Sequence, residues 1–354
     1  MTPLAHLISE RIRAAGPISI ADYMAECLMH GRHGYYATRD PFGASGDFTT
    51  APEISQMFGE LLGLCLAQAW LDQGAPSPVA LAELGPGRGT LMADALRATQ
   101  GVPGFHAALS LHLVEVSPHL RQVQAQTLAR YRPLWHDSAA TLPDAPLLLV
   151  ANEFFDALPI RQFRRVAVGW CEHLVGLQGG HLTLGLSAPL YPGPFAHRLA
   201  DTVPGDVVEI CPSLGVMVAQ MADRIARNGG AALVVDYGGW HSRGDTFQAL
   251  RNHSPADPFA EPGLADLTAH VDFEAIAAAA TPATCSAMVP MGALLASLGI
   301  AARAEKLALG LQGSALASHI AAFHRLTGPA EMGNLFKAIA LYPKGAPVPP
   351  GFIA

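Results

Sequence analysis

The sequence is poor in charged residues. Only 14% of its 354 residues are Asp, Glu, Lys or Arg, and half are hydrophobic. This composition provides a substantial core and argues against a disordered chain. No run of Lys or Arg forms a basic stripe, and the formal net charge is -7. A nucleic-acid partner is therefore not implied. No apolar run is long enough to span a bilayer, so we expect no membrane insertion.

The cysteines also lack a pattern. The five of them are scattered, with no C-x-x-C pair and no zinc spacing, so we expect no metal site. Such a set fits buried thiols in a reducing compartment. Residues 1–16 alternate in charge and lack the apolar core of a secretory signal, and no organelle address is visible. These features favour a bacterial cytoplasmic location.

The most informative stretch is an apolar run that ends in a G-x-G-x-G turn at Gly85, Gly87 and Gly89, after which a helical pattern begins. It predicts a buried strand, a tight turn and a helix start whose free N–H groups face a ligand. The spacing differs from the G-x-G-x-x-G of dinucleotide binders. Glu83, at the end of the strand, suits an ammonium group and indicates S-adenosylmethionine. Taken alone, the motif fits an ordinary Gly-Pro-Gly turn equally well.

Polar residues follow three later strands of the same predicted sheet. Glu115 ends the second strand, where an acid is placed to accept both hydroxyls of a ribose. The third strand ends in Asp137 and Ser138, within reach of an adenine edge. The fourth strand runs directly into Asn152 and Glu153. Polar groups followed by aromatic residues at a central strand's carboxyl end are typical of a reaction centre.

Periodicity and turn residues predict an α/β chain. The predicted sheet strands lie at residues 79–84, 110–116, 133–138, 147–151, 231–235, 284–289 and 336–342. Predicted helices include residues 3–14, 21–28, 53–72, 91–100, 118–131, 213–227 and 307–326. Residues 160–190 alternate around Gly179-Gly180 and predict an antiparallel β insert. The long polar segment 240–270 is typical of a lid or binding loop.

Several of these stretches together resemble the MidA-type class I S-adenosylmethionine-dependent methyltransferases, whose eukaryotic members are mitochondrial protein-arginine methyltransferases needed for respiratory complex I assembly. The matching stretches are residues 46–55, 83–91, 115–118, 152–159, 235–238, 265–273 and 332–337. As an ordered set spanning roughly residues 20–340, they are far more specific than the glycine turn alone.

The resemblance implies a Rossmann-like, seven-stranded class I sheet that is parallel except for its last strand. It also implies an N-terminal helical cap at 1–75 and a methyltransferase domain at 76–354, with insertions at 160–205 and 240–270. The implied activity is protein-arginine N-methylation with S-adenosyl-L-methionine, namely symmetric dimethylation of a respiratory-complex-I-type subunit. A homodimer is compatible with it.

Site residues follow from the same resemblance and from the chemistry. Carboxylates hold a guanidinium by paired hydrogen bonds. The catalytic candidates are Glu153 and Asp156, followed by His270, Asp272 and Tyr237. The cofactor-binding candidates are Thr49, Thr50, Glu83, Gly85, Pro86, Gly87, Gly89, Thr90, Glu115, Val116, Asp137, Ser138 and Asn152.

Three other functions remain open at this point. A small-molecule or carboxyl methyltransferase would use the same glycine turn with an enclosed acceptor pocket. A non-catalytic assembly or chaperone factor would bind the cofactor for stability alone, and replacing Glu153 or Gly87 would then leave its cellular role intact. A nicotinamide oxidoreductase is disfavoured by the glycine spacing.

Overall fold

The computed structural model describes residues 1–38, 49–191 and 195–354. Most of the predicted loop 43–50 therefore lies outside the described residues. The helices in the described ranges are α1 (Pro3–Ala15), α2 (Ile20–Met29), α3 (Tyr35–Thr38), α4 (Ala51–Ile54), α5 (Gln56–Asp72), α6 (Thr90–Ala98), α7 (Phe105–Ala108), α8 (Pro118–Thr127), α9 (Leu214–Asn228), α10 (Phe273–Ala279), α11 (Met291–Ser297), α12 (Ile300–Ala308), α13 (Gly313–Thr327) and α14 (Met332–Leu335).

The strands in the same ranges are β1 (Ile18–Ser19), β2 (Val79–Leu84), β3 (Leu109–Val114), β4 (Leu134–His136), β5 (Leu147–Asn152), β6 (Arg161–Arg165), β7 (Trp170–Gln178), β8 (His181–Leu186), β9 (Val207–Ile210), β10 (Gly230–Gly239), β11 (Gln248–Arg251), β12 (Ser254–Ala256), β13 (Asp266–Thr268), β14 (Val271–Asp272), β15 (Thr284–Cys285), β16 (Val289–Pro290) and β17 (Phe336–Tyr342).

The chain forms two compact units. The sheet unit comprises residues 49–155, 216–240 and 273–354, and the insert unit comprises the described parts of residues 1–48, 156–215 and 241–272. Helix α5, which the sequence places in an N-terminal cap, packs in the core of the sheet unit. The domain boundary predicted at residue 75 stays a prediction.

The sheet unit is built on a path of strands in the order β15-β17-β10-β5-β2-β3-β4. The five strands from β4 to β10 are parallel, and β17 runs antiparallel to both of its neighbours. This path of seven strands confirms the predicted class I sheet with a reversed last strand, and two short strands off the path bring the sheet to nine. All residues of β2 and β5 are buried, as expected of parallel strands covered on both faces.

Helix α5 packs closely against α6 because two glycines face that helix. A Cβ atom on Gly63 would lie 2.6 Å from the Cα atom of Ala95. The single helix predicted at 53–72 was wrong in one respect: the chain is extended at Ser55, with φ -161° and ψ 138°, between α4 and α5. The Ser55 hydroxyl accepts a hydrogen bond from the Met57 N–H and so caps α5.

The insert unit contains the predicted antiparallel β insert. Strands β6 and β7 pair, β9 pairs with β6, and β8 returns along β7 after the Gly179-Gly180 turn. The expectation that 240–270 lacks regular structure was wrong, because β11 pairs there with both β12 and β13, while its role as a lid or binding loop stays a prediction. Its non-local pairing, Gln248 with Thr268, explains why local pattern did not indicate it.

None of the helices in the described ranges combines the length and apolarity that a bilayer-spanning segment needs.

Candidate active site

The glycine turn after β2 has the geometry that its sequence predicts. Gly85, Gly87 and Gly89 have φ values of 59°, 52° and 79°, which L side chains rarely adopt. A Cβ atom on Gly85 would also lie 2.8 Å from Cδ2 of Phe154. The Pro86 carbonyl closes the turn by accepting the Gly89 N–H at 2.7 Å, and α6 begins directly afterwards. Backbone without side chains is thereby presented at the carboxyl edge of the sheet.

Glu83 is a buried carboxyl group at this edge. Its side chain is 3% exposed, and its Oε2 atom has no hydrogen-bond partner among the described residues. Burial raises the pKa of Glu83 to about 8. Asn152, at the end of the adjacent strand β5, likewise has a buried Oδ1 atom without a partner in the described chain. Two orphaned acceptors beside a glycine turn fit a ligand that donates N–H bonds, such as an ammonium group.

Glu115 directly follows β3, the neighbour of β2. Its Oε1 accepts the Ser117 N–H at 2.8 Å, and its Oε2 accepts an N–H of Gln124 at 3.2 Å. Burial is the main reason why the pKa of Glu115 is raised above its ordinary value. Each carboxylate oxygen keeps a further acceptor site, as a ribose hydroxyl would require. Val116, next in the chain, is 45% exposed.

The two predicted adenine contacts have ordinary structural partners. Asp137 pairs with Arg121 at 2.5 Å, and the Ser138 hydroxyl accepts the Ala140 N–H at 3.2 Å. Both follow β4 on the sheet edge that carries Glu115. Their adenine role stays a prediction.

A chain of imidazoles on β3 and β4 was not predicted. His112 Nδ1 lies 2.9 Å from His136 Nε2, and His112 Nε2 lies 2.9 Å from the Ser110 hydroxyl. His136 Nδ1 in turn lies 2.9 Å from the Thr141 hydroxyl. Burial and the neighbouring His136 lower the pKa of His112 to about 4, so this chain is neutral near pH 7.

The turn after β5 places Glu153 in the left-handed region, with φ 49°. Its Oε1 atom accepts the Ala51 N–H at 3.0 Å and an N–H of Asn152 at 3.1 Å. The carboxylate thus performs the capping that the Thr50 side chain does not supply to α4. Thr49 directly precedes this helix entry. Thr90 donates to Glu53 at 2.6 Å, which ties α4 to the start of α6.

Asp236 fixes the same turn from the neighbouring strand β10, and sequence reasoning gave it no role. Its side chain is fully buried. Oδ2 accepts the N–H groups of Phe154 and Phe155 at 3.1 and 2.9 Å, and Oδ1 accepts that of Tyr237 at 2.9 Å. The only signal in the sequence is an acid that ends a strand otherwise apolar. Two of its three backbone partners, Phe154 and Phe155, come from a distant part of the chain.

Of the other catalytic candidates, Asp156, His270 and Asp272 belong to the insert unit, whereas Tyr237 belongs to the sheet unit. Asp156 is buried, and its carbonyl accepts the Ala269 N–H at 3.0 Å, so it lies beside the segment that carries His270 and Asp272. The His270 N–H donates to the Thr246 hydroxyl at 2.8 Å. Asp272 accepts the N–H of Ser242 at 3.1 Å. The structure therefore groups Asp156 with the 269–272 segment, while Glu153 belongs to the sheet unit.

The sheet order, the glycine turn and the orphaned acceptors define a class I S-adenosylmethionine-dependent methyltransferase. A family model for S-adenosyl-L-methionine-dependent methyltransferases matches residues 61–291. The chain belongs to this family, in its MidA-type branch, which confirms the resemblance described above.

Similar named proteins and a similar solved structure support this family assignment. The mitochondrial protein arginine methyltransferase NDUFAF7 of Danio rerio is 40% identical over 94% of this chain and 85% of its own length. The Homo sapiens protein of that name is 36% identical over 97% of this chain and 84% of its own length. A crystal structure of a Burkholderia thailandensis protein bound to S-adenosyl-homocysteine is 30% identical, covers 98% of this chain and 93% of its own, and has a TM-score of 0.84.

Proposed function

We propose that this chain is a protein-arginine N-methyltransferase. One observation carries the proposal. Relatives named protein arginine methyltransferase are 34–40% identical to this chain and align with 94–97% of it. The cofactor supplies a methyl group already activated on a sulfonium. What remains for the protein is to hold the guanidinium, exclude water and align one nitrogen for displacement.

Carboxylates can hold the guanidinium because one carboxylate accepts hydrogen bonds from two of its N–H groups. This pairing draws the positive charge toward those two nitrogens. Glu153 is our first candidate. The left-handed backbone and the bonds to Ala51 and Asn152 restrict its orientation. Asp156, His270 and Asp272 are further candidates, with Tyr237 after them.

The resemblance adds narrower proposals. The acceptor is a subunit of a respiratory-complex-I-type enzyme, and the product is symmetric dimethylarginine. We propose in addition a homodimer and a bacterial cytoplasmic location. Mass spectrometry of that subunit from cells with and without the protein tests the acceptor and the product. Light scattering tests the dimer. Cell fractionation tests the location. The names of the curated relatives describe those proteins as mitochondrial.

The activity itself is tested with purified protein, methyl-labelled S-adenosylmethionine and a cell extract, followed by mass spectrometry. We expect label on arginine side chains of a protein. Label on a metabolite, or on a base-labile methyl ester, would instead identify a small-molecule or carboxyl methyltransferase.

The catalytic role of Glu153 is tested with the variant Glu153→Gln. Its side-chain oxygen can still accept the Ala51 N–H, while the charge is lost. We expect transfer to fall about a hundredfold, with the affinity for S-adenosyl-homocysteine within about threefold of the parent. If a Glu153→Gln protein without transfer activity fully restored the cellular function, the protein would be an assembly factor.

A further inference from the structure

A fully buried glutamine connects the two halves of the cofactor site. Gln124 lies on α8 and has no exposed surface. Its Nε2 atom donates to the Gly87 carbonyl at 2.8 Å and to Oε2 of Glu115 at 3.2 Å. Its Oε1 atom accepts the indole N–H of Trp135 at 2.8 Å. Burying an amide is unfavourable unless its polar atoms are bonded, and here both N–H groups and the oxygen are.

The indole of Trp135 determines which way this amide points. An indole N–H can only donate, so it requires the amide oxygen to face it. The amide NH₂ group must then face Gly87 and Glu115. A flipped amide would oppose one oxygen to a carbonyl and a carboxylate, and would leave two N–H donors facing each other at Trp135. The flipped orientation therefore replaces three attractive contacts with repulsive ones.

We propose that Gln124 is a positioning residue for cofactor binding, which holds the Glu115 carboxylate and the glycine turn in one fixed relation, and that Trp135 sets its orientation. The proposal rests on Glu115 as the ribose ligand, and it does not depend on the nature of the methyl acceptor. In the described chain, Oε1 of Glu115 accepts the backbone N–H of Ser117, and Oε2 accepts a side-chain N–H of Gln124. Removing the second leaves the plane of the carboxylate fixed at one oxygen only.

On the other side of the amide, the Gly87 carbonyl belongs to a residue with φ 52°. A turn with positive φ at alternate residues is held by its few hydrogen bonds, and Gln124 supplies one of them from outside the turn. A single side chain thus stabilises both the backbone that approaches the cofactor and the acid that accepts its hydroxyls.

The test is a comparison of two ligands with one variant, read by titration calorimetry without any acceptor. Gln124→Met keeps the length of the side chain and removes its amide. We expect the Kd of S-adenosyl-homocysteine to rise about tenfold, the effect of one hydrogen bond to a charged group. For an analogue that lacks the 2′- and 3′-hydroxyls, we expect a rise of about threefold or less, because the contribution through Glu115 is already absent.

Trp135→Phe is the second variant, since it removes only the donor that orients the amide. We expect about a threefold rise in Kd for S-adenosyl-homocysteine, and a smaller rise for the analogue. Gln122→Met, an exposed position on the same helix, is the matched control and should leave both values unchanged. Thermal unfolding without ligand verifies that each variant is folded.

Equal losses of affinity for the two ligands would overturn the proposal, because a general structural defect does not distinguish them. Unchanged affinity in Gln124→Met would overturn it as well. If Gln124→Met does not fold, the same comparison with Trp135→Phe decides. A failure of arginine methylation would leave these binding results valid, so the two proposals fail separately.

Discussion

Replacing Glu83 with glutamine should increase the stability of the ligand-free protein and weaken its binding of the cofactor. Glu83 is 3% exposed, and burial raises its pKa to about 8 from an ordinary value of 4.5. In the folded chain the carboxyl group keeps its proton up to about pH 8, whereas in the unfolded chain it releases the proton near pH 4.5. Between these values the unfolded state binds fewer protons. Stability therefore falls as the pH rises through this range and levels off above it.

The magnitude follows from the same two values. Each pH unit between them contributes about 1.4 kcal/mol, which gives a loss on the order of 4 kcal/mol by pH 8. Glutamine is neutral at every pH and nearly the same size. Glu83→Gln should therefore gain this free energy of unfolding at pH 8 and less than about 1 kcal/mol at pH 5. The cofactor's ammonium would lose its carboxylate partner, and we expect affinity to fall at least tenfold.

Urea titrations at pH 5 and pH 8 measure the difference in stability between the variant and the parent. Calorimetric titration with S-adenosyl-homocysteine at pH 7, in two buffers of different ionisation enthalpy, measures the protons exchanged on binding. The parent should release about one proton, because Glu83 must ionise to pair with the ammonium. The variant should release none from this position. Glu10→Gln, at an exposed site on α1, is the control and should change neither measurement.

The reasoning is refuted if Glu83→Gln is no more stable than the parent at pH 8, or if its effect is the same at both pH values. Parent and variant that release equal numbers of protons would show that Glu83 does not face the ammonium. Tighter binding by the variant would show the same.

Three other predictions follow. Asp236→Asn removes a charged acceptor for backbone N–H groups, so methyl transfer should fall at least tenfold while calorimetry shows less than about a threefold change in affinity for S-adenosyl-homocysteine; equal losses would contradict a role in positioning. Because the pKa of His112 is lowered from 6.5 to about 4, stability should decrease as the pH falls through that range, and urea titrations of His112→Asn should show a flatter acid limb. Gly85→Ala, whose Cβ atom would meet the Phe154 ring at 2.8 Å with φ 59°, should lower the free energy of unfolding by about 1–3 kcal/mol, against about 1 kcal/mol for Gly74→Ala, which has φ 83° and open space.

Elements with strong local signals were predictable from the sequence. The apolar run before Gly85 indicated β2, because a strand buried on both faces is almost continuously apolar. The prediction that the last strand is reversed came from the resemblance to the family. The glycine turn after β2 was predictable as well, because its positive φ values favour glycine.

Features that depend on distant partners were not predictable. Apolar periodicity continues across Ser55, so nothing local indicates that its backbone is extended and caps α5. The stretch 307–326, predicted to be mostly helical, is interrupted between Ala308, where α12 ends, and Gly313, where α13 begins. Asp236 and Gln124 acquire their roles from N–H and carbonyl groups far away in the chain. A single sequence does not specify such partners.

The reversed strand β17 also has a consequence during protein synthesis. It lies between β10 and β15, so residues 232–237 of β10 pair with a segment that the ribosome makes much later than β10. Until Tyr342 has left the exit tunnel, one edge of β10 remains without its native partner. An exposed strand edge with apolar side chains is a template for aggregation. The nascent chain should therefore require chaperone protection until β17 has been made, and messages truncated before this strand should yield insoluble product.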